Sequence, residues 1–387
     1  MTDAESTPGV LRAEDGSGRS VTNMELFFDL VYVFAITQLS HLLLRHLTWH
    51  GAAQTLLLML AVWWAWIYTA WFTNWFDPDR RPVRAVLISG MAAGLIMAAA
   101  LPRAFGDRGL VFAACYVVFQ CGRDLYAWSS VRTDGPLRRN LLRVLAWAVF
   151  SGIFWIAGGF AHGTARELLW LGGVLADYSG PYFRFLTPGL GRSELTDWSI
   201  DGGHLAERCH LVVIIALGES VLVTGATFSD LPYSPGPVTA VIVALLGSVA
   251  LWWLYFDRAA EAGRRRIGTA AVPGPLARDA YNQLHLPIVA GIIVTAVGDE
   301  IVISHPGGHA SWAATVVIVG GPALFLAGHT LFKYAIFQHL SPPRFIGLAV
   351  LGLLSTITPV VTPLVLATGT TLTIAGVCLA EDRTAHA

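Results

Sequence analysis

Several ionisable side chains lie inside long apolar stretches of this sequence, where a membrane would make their charge costly. Glu219 lies between "VVIIALG" and "SVLV", and Glu25 and Asp29 stand four residues apart at the start of "ELFFDLVYVFAITQLSHLLL". A charged group at the centre of a membrane helix costs at least ~2.5–3.5 kcal/mol. Such a carboxylate persists if it is protonated, paired with a cation, or wetted by a cavity. These positions therefore suggest proton exchange.

The segment around Glu219, "HLAERCHLVVIIALGESVLVTG", brings further ionisable groups to one side of a helix. At 100° per residue, His204, Glu207, Arg208 and Glu219 fall within roughly 120° of one another, and His210 lies about 60° beyond Glu207. We predict catalytic or proton-carrying roles for Glu25, Asp29, His204, Glu207, Arg208 and Glu219. Two structural alternatives stay open. The helix dipole favours acids in a first turn, as at Glu25 and Asp29, and Glu219 could belong to a buried ion pair.

Other polar and aromatic side chains in the apolar segments are candidates for binding a substrate. They are Tyr32, Trp71, Asn74, Arg123, Asp124 and His285. We predict that Arg123 pairs with Glu219 or Asp29, whereas the adjacent Asp124 points to a different neighbour. Trp71 belongs to a row of aromatic residues that could wall a cation site or anchor the helix at the membrane interface. Each of these side chains could equally be a structural hydrogen-bonding group.

One acidic pair could hold a metal. Asp77 and Asp79 end the stretch "NWFDPD", and such a pair can bind Mg²⁺ together with diphosphate oxygens. The alternative is an acidic turn that Pro78 stops. We expect no cofactor, and Mg²⁺ only if the protein is an enzyme acting on a diphosphate.

The composition predicts an all-α, polytopic transmembrane helical bundle whose main partner is the lipid bilayer. The 387 residues are 55% hydrophobic and 13% charged, with a mean hydropathy of +0.58. About twelve apolar segments of roughly 20 residues recur along the chain, the length that crosses a bilayer. The net charge of −1 suggests neither nucleic acid nor an acidic surface as a partner.

The distribution of basic residues predicts the orientation in a bacterial cytoplasmic (inner) membrane. If the amino terminus is inside, 19 of the 25 Lys and Arg residues lie in cytoplasmic segments and 4 in outside loops. Such a bias follows the positive-inside rule and predicts that both termini are cytoplasmic.

The chain divides into a tail and two similar halves. Residues 1–24 lack an apolar signal-peptide segment and predict a disordered cytoplasmic tail. Residues 25–195 and 200–380 predict two six-helix repeats, because short motifs such as "AAGLIMAAA" and "VAGIIVTAV" recur in the same order. Repeats with an even number of spans are parallel. The alternative is that apolar segments resemble one another through composition alone.

Several motifs carry a resemblance to a known family. The stretches "ELFFDLVYVFAITQLSHLL", "YTAWFTNWFDPD" and "HLAERCHLVVIIALGESVL" resemble those of the bacterial low temperature requirement A proteins. That resemblance implies a polytopic membrane protein, and it implies these motif positions: Glu25, Asp29, Asn74, Asp77, His204, Glu207, Arg208 and Glu219. The family usually continues "ER" with His and Gly, whereas Cys209 and His210 follow here.

The leading functional hypothesis is a secondary, proton-coupled transporter of a small solute, with Glu219 exchanging protons. No GxxxxGK[ST] motif is present, so ATP is not the expected driver. The alternative is an intramembrane enzyme acting on an isoprenoid or lipid substrate, similar to a terpene cyclase or prenyltransferase. A sensory or assembly role is a third possibility.

Overall fold

The computed structural model describes residues 10–12, 20–132, 135–194, 200–257, 259–269 and 273–386, and this part of the chain is helical. The first six helices are α1 (Asn23–Arg45), α2 (Trp49–Trp75), α3 (Arg81–Ala100), α4 (Gly109–Ser130), α5 (Pro136–Phe160) and α6 (Gly163–Tyr182). They are followed by α7 (Gly202–Ser229), α8 (Pro235–Phe256), α9 (Ala259–Gly268), α10 (Pro273–Leu276), α11 (His285–Ser304), α12 (Trp312–Phe337), α13 (Pro342–Leu354) and α14 (Pro363–His386). A π-helix, Ala277–Gln283, leads into α11.

Ten helical segments among the described residues are long and apolar enough to cross a membrane. The all-helical membrane fold is therefore confirmed, while about twelve spans and two parallel repeats stay predictions. The two other long apolar segments of the sequence form α6 and the shorter α13. Pro181 lies in the last turn of α6, so the helix runs unbroken up to that residue. A 3₁₀ turn, Ser355–Val360, follows α13 and leads to α14.

The chain forms two compact units. The first contains Met1–Tyr32 and Ala61–Leu205, and the second contains Val33–Leu60 and Ala206–Ala387. Helices α1, α2 and α7 therefore contribute residues to both units, whereas α3–α6 belong to the first and α8–α14 to the second.

An aromatic core and a buried arginine organise the first unit. The rings of Trp155 and Trp170 are fully buried, with centroids 5.6 Å apart. Arg166, at the start of α6, donates to the carbonyls of Ala104 at 2.8 Å and Gly158 at 3.1 Å. These bonds satisfy a buried cation with backbone oxygens and tie α6 to α5 and to the turn after α3.

Close contact between α11 and α12 organises the second unit. A methyl group placed on Gly321 would lie 2.5 Å from the backbone nitrogen of Thr295, and one on Gly291 would lie 2.5 Å from that of Phe325. Small residues allow helix backbones to approach closely in membrane proteins. Glycine is therefore required at both contacts.

The described part of the amino-terminal segment is bonded to the end of α2. The Arg12 amide donates to the Trp75 carbonyl at 2.9 Å, and the Asp77 amide donates to the Val10 carbonyl at 3.0 Å. Most of the predicted disordered tail, residues 1–9 and 13–19, lies outside the described residues.

Candidate functional site

Glu25 is the centre of a buried hydrogen-bond cluster in the first unit. Its Oε2 accepts from Arg12 Nη2 at 3.0 Å, from the Thr22 amide at 2.9 Å and from Thr22 Oγ1 at 3.0 Å. Its Oε1 lies 2.9 Å from His204 Nε2, and both side chains are fully buried. The carboxylate is therefore held by at least four polar groups from three parts of the sequence, an arrangement typical of a structural anchor.

Asn74 extends this cluster to the start of α7. Its side chain makes two bonds with the backbone of Asp201, one as donor to the carbonyl at 2.8 Å and one as acceptor from the amide at 2.8 Å. Asn74 Nδ2 also lies 3.3 Å from His204 Nδ1. The Asp201 side chain accepts from the His204 amide at 3.0 Å, as an N-cap residue does. Three predicted residues, Glu25, Asn74 and His204, are thus brought together.

Asp29 lies deeper along α1 and is fully buried. Its Oδ1 accepts from Trp66 Nε1 of α2 at 2.9 Å. The neighbouring predicted residue Tyr32 is buried, and its ring lies 5.4 Å from that of Phe28. Trp71 is also buried and packs against Trp75 at 5.8 Å. Trp71 is therefore one of the inward-facing members of the aromatic row.

The predicted pairing of Arg123 is wrong. Its Nε donates to Oδ1 of the adjacent Asp124 at 2.9 Å, and its Nη1 donates to Gln120 at 2.8 Å and to Thr69 at 3.2 Å. Adjacent helical residues diverge at Cβ, but the long arginine side chain curls back to its neighbour. The expectation that Arg123 pairs with Glu219 or Asp29 fails because Asp124 is closer and is itself buried.

Each acid of the candidate metal pair, Asp77 and Asp79, forms an ion pair with an arginine. Asp77 lies 3.3 Å from Arg80 Nε, and Asp79 lies 3.3 Å from Arg84 Nη2. Within the described residues, no group of three or more His, Cys, Asp or Glu side chains has the arrangement of a metal site. Mg²⁺ binding at this pair stays a prediction, and the two arginines would compete with it.

The second unit places Glu219 beside a cavity of about 520 Å³. Glu219 is 2% exposed, and its neighbours from α1 are the hydroxyl of Thr37 and the imidazole of His41. Glu300 of α11 lines the same cavity and also has the imidazole of His41 as a neighbour. Helices α1, α7 and α11 thus bring one imidazole and two carboxyl groups to a single space.

The cavity is lined by acidic side chains, and some of their oxygen atoms lack hydrogen-bond partners among the described residues. Its lining includes Glu219, Glu300 and Asp230 but, among the described residues, neither Lys nor Arg. In this part of the chain, Glu219 Oε1 and Glu300 Oε2 are buried and have no hydrogen-bond partner. Buried polar atoms in native proteins nearly always find a partner in protein, water or ligand. Water in the cavity would supply that partner.

The remaining predicted residues lie elsewhere in the second unit. Glu207 is half-buried, and its carboxylate is near enough to Arg264 for the two charges to attract each other. Arg208 is fully buried. His285 Nε2 lies 2.7 Å from the Tyr255 hydroxyl, and its Nδ1 lies 3.1 Å from the Ala280 carbonyl. An Nδ1–H donor to that carbonyl leaves Nε2 as the acceptor from tyrosine, so His285 is satisfied as a neutral ring.

Sequence reasoning did not assign Thr37, His41 or Glu300 to the site of Glu219. Thr37 and His41 are four residues apart, so they share one face of α1. That spacing marks a polar stripe near the end of the helix. It does not indicate which helix the stripe faces, because helix pairing is decided by contacts distant in sequence.

Comparison with known proteins adds the family. The model of the bacterial low temperature requirement A protein family (LtrA) matches residues 20–379. The chain belongs to the LtrA family. This match covers all the helices that carry the Glu25 cluster and the acidic cavity.

One relative of this LtrA chain is similar along nearly its whole length. The uncharacterized protein RA0937 of Rhizobium meliloti (strain 1021) is 37% identical over 360 residues, covering 92% of this chain and 88% of the relative. No solved structure matches the LtrA chain significantly. These comparisons identify the family of the chain.

Proposed function

We propose that this LtrA-family protein is a proton-coupled secondary transporter of a small solute. The observation that supports it is the acidic cavity of the second unit, whose lining residues Glu219 and Glu300 each keep a buried oxygen with no hydrogen-bond partner among the described residues. A carboxylate within a membrane span costs free energy, and such residues mark ion and proton pathways. The cavity is large enough for a small organic ion in addition to water.

Glu219 is the proton-exchanging group in this proposal. Protonated, it is neutral and compatible with a closed, dry cavity. Deprotonated, it needs water or a cation, which the open cavity provides. The imidazole of His41 neighbours both Glu219 and Glu300, so a protonated ring would balance part of their negative charge. Competition between a proton and a solute for the same carboxylate couples their movements.

The solute is proposed to be a small cation. The cavity lining carries three carboxyl groups and one imidazole, so its potential is negative whenever the acids are ionised. An anionic solute would meet like charges there. A primary amine or quaternary ammonium ion would be attracted.

The proposed setting is the bacterial cytoplasmic membrane with both termini inside. In that orientation, α1, α7 and α11 run outward, so the acidic cavity lies toward the outer half of the membrane. The basic residues of α9 would then face the cytoplasm, consistent with the positive-inside rule.

Proteoliposomes containing a trapped pH-sensitive dye test the transporter. An imposed pH gradient should collapse faster when ammonium, methylammonium, putrescine or choline is added to vesicles with the protein than to empty vesicles. Glu219→Gln should abolish this coupled proton flux. Asp107→Asn, an exposed acid paired with Arg103, should leave it unchanged. A flux that is identical in wild type and Glu219→Gln would remove Glu219 from the mechanism.

A further inference from the structure

A second cavity, of about 20 Å³, lies in the second unit and is lined by the residue that precedes Glu300. Asp299 contributes to it together with residues of α8, α12 and α14. Room for one water needs roughly 10–15 Å³, so this cavity holds one water-sized particle and no organic molecule. It is distinct from the acidic cavity, although α7 and α11 contribute residues near both.

The polar groups around this small cavity are oxygen atoms. Ser220 Oγ donates to Asp299 Oδ2 at 3.2 Å and lies 3.3 Å from Ser248 Oγ. Thr295 and Thr370 line the cavity directly. Their hydroxyl hydrogens are committed to carbonyl groups one turn earlier in their helices, at 2.8 Å each. The lone pairs of these hydroxyl oxygens therefore remain available to a cation.

A proline in α12 leaves one backbone carbonyl near this cavity without its usual helical donor. Pro322 and Ile318 both line the cavity and stand four residues apart. Proline has no amide hydrogen, so the Ile318 carbonyl lacks its usual helical donor. An unsatisfied carbonyl within a membrane span is tolerated where it meets a polar partner. A bound cation is such a partner.

We propose that this cavity binds a single Na⁺ ion. Oxygen ligands suit a hard cation, and the Asp299 carboxylate supplies the compensating charge. The described lining contains no Lys, Arg or His that would repel it. The volume suits the smaller Na⁺ better than K⁺ and excludes hydrated or organic cations. Because Ser220 follows Glu219 and Asp299 precedes Glu300, Na⁺ occupancy would fix the helix segments that carry both acids of the larger cavity.

Direct binding of ²²Na⁺ to the purified full-length protein in detergent tests this site. Wild-type protein should bind saturably, and excess NaCl should displace the isotope while KCl or choline chloride at the same ionic strength should not. NaCl should also raise the thermal unfolding temperature more than KCl, because an ion that binds the folded state stabilises it. Asp299→Asn should abolish both effects. Glu300→Gln, the adjacent acid facing the other cavity, should retain them.

A second set of variants keeps the test decisive if Asp299→Asn fails to fold. Thr370→Ala should weaken Na⁺ binding at least tenfold. Thr368→Ala removes a hydroxyl bonded in the same way to its own helix but absent from the lining, so its affinity should stay within twofold of wild type. Pro322→Ala restores a donor to the Ile318 carbonyl and should also weaken binding.

The outcomes separate this site from the transporter proposal. Absence of saturable ²²Na⁺ binding to wild type, displacement by KCl as effective as by NaCl, or unchanged affinity in Thr370→Ala would each overturn the Na⁺ site. None of these bears on proton flux through Glu219. Conversely, Glu219→Gln without coupled proton flux but with full ²²Na⁺ binding would support both proposals independently.

Discussion

At the scale of single residues, the buried acids of this protein fall into two kinds. Glu25 accepts from Arg12, Thr22 and His204 and is fully enclosed. Glu219 is equally hidden but keeps an oxygen without a partner among the described residues and faces a cavity. The same residue type therefore anchors structure in one place, whereas in the other we propose that it exchanges protons. The two acids differ in their surroundings, a set of hydrogen-bond donors around Glu25 and a cavity beside Glu219, rather than in how deep they lie in an apolar segment.

Replacement of Glu25 tests the anchoring role. Glu25→Gln leaves Arg12 and His204 without their anionic partner in a buried place, so unfolding should become easier by on the order of 3 kcal/mol. Thermal unfolding of the purified protein measures this change. Glu261→Gln breaks a pair with Arg264 that is half exposed, and should lower the unfolding temperature far less. Equal effects of the two changes would show that Glu25 is not an anchor.

The sequence located the acids but not their partners. Hydropathy places Glu219 within an apolar helix, and helical spacing identifies the stripe of Glu25 and Asp29. Neither pattern reveals that Glu219 lines one cavity with Thr37, His41 and Glu300, because residues so distant along the chain leave no local signal. Arg123 shows a different limit: its bond to Asp124 depends on side-chain rotamers, which the spacing of Cβ atoms does not determine.

At the scale of helices, glycine and proline set how closely α11 and α12 approach and what lies between them. Gly321 allows contact with the backbone of Thr295, and Pro322 beside it frees a carbonyl. The sequence predicted both helices, since long apolar segments are readily recognised. It did not predict their close contact, because glycines at a helix interface look the same in sequence as glycines facing lipid.

Paired alanine substitutions test this contact. Gly321→Ala places a methyl group 2.5 Å from Thr295 N and should lower stability by about 1–3 kcal/mol through overpacking. A methyl group on the adjacent Gly320 would have no neighbouring atom within 4 Å, so Gly320→Ala should be neutral or slightly stabilising. Thermal unfolding of both variants gives the comparison. Destabilisation of the same size in both would refute the close approach.

At the scale of the whole molecule, the helical membrane fold follows from composition, whereas orientation is a separate hypothesis. The predicted repeats and the number of spans depend on how α6 and α13 lie in the bilayer, which length and hydropathy alone do not decide. The arginines of α9 should lie on one side of the membrane, and the loop between α11 and α12, which carries His305 and His309, on the other. That expectation follows from the excess of basic residues in the proposed cytoplasmic segments.

Labelling of introduced cysteines tests the orientation. In a background with Cys115, Cys121, Cys209 and Cys378 replaced by alanine, His309→Cys should react with a membrane-impermeant maleimide added to intact cells. Arg265→Cys should react only after the membrane is permeabilised. Reaction of Arg265→Cys in intact cells would reverse the orientation and place the acidic cavity toward the cytoplasm.

Reactivity at the cavity wall is the most direct test of a water-filled, acidic site around Glu219. In the same cysteine-free background, Ala226→Cys, which lines the cavity, should react faster with a cationic than with an anionic methanethiosulfonate reagent. Glu219→Gln combined with Glu300→Gln should reduce that preference, and Val221→Cys, exposed but outside the lining, should not show it. Failure of Ala226→Cys to react with either reagent, or equal rates with both, would contradict an acidic, wetted cavity.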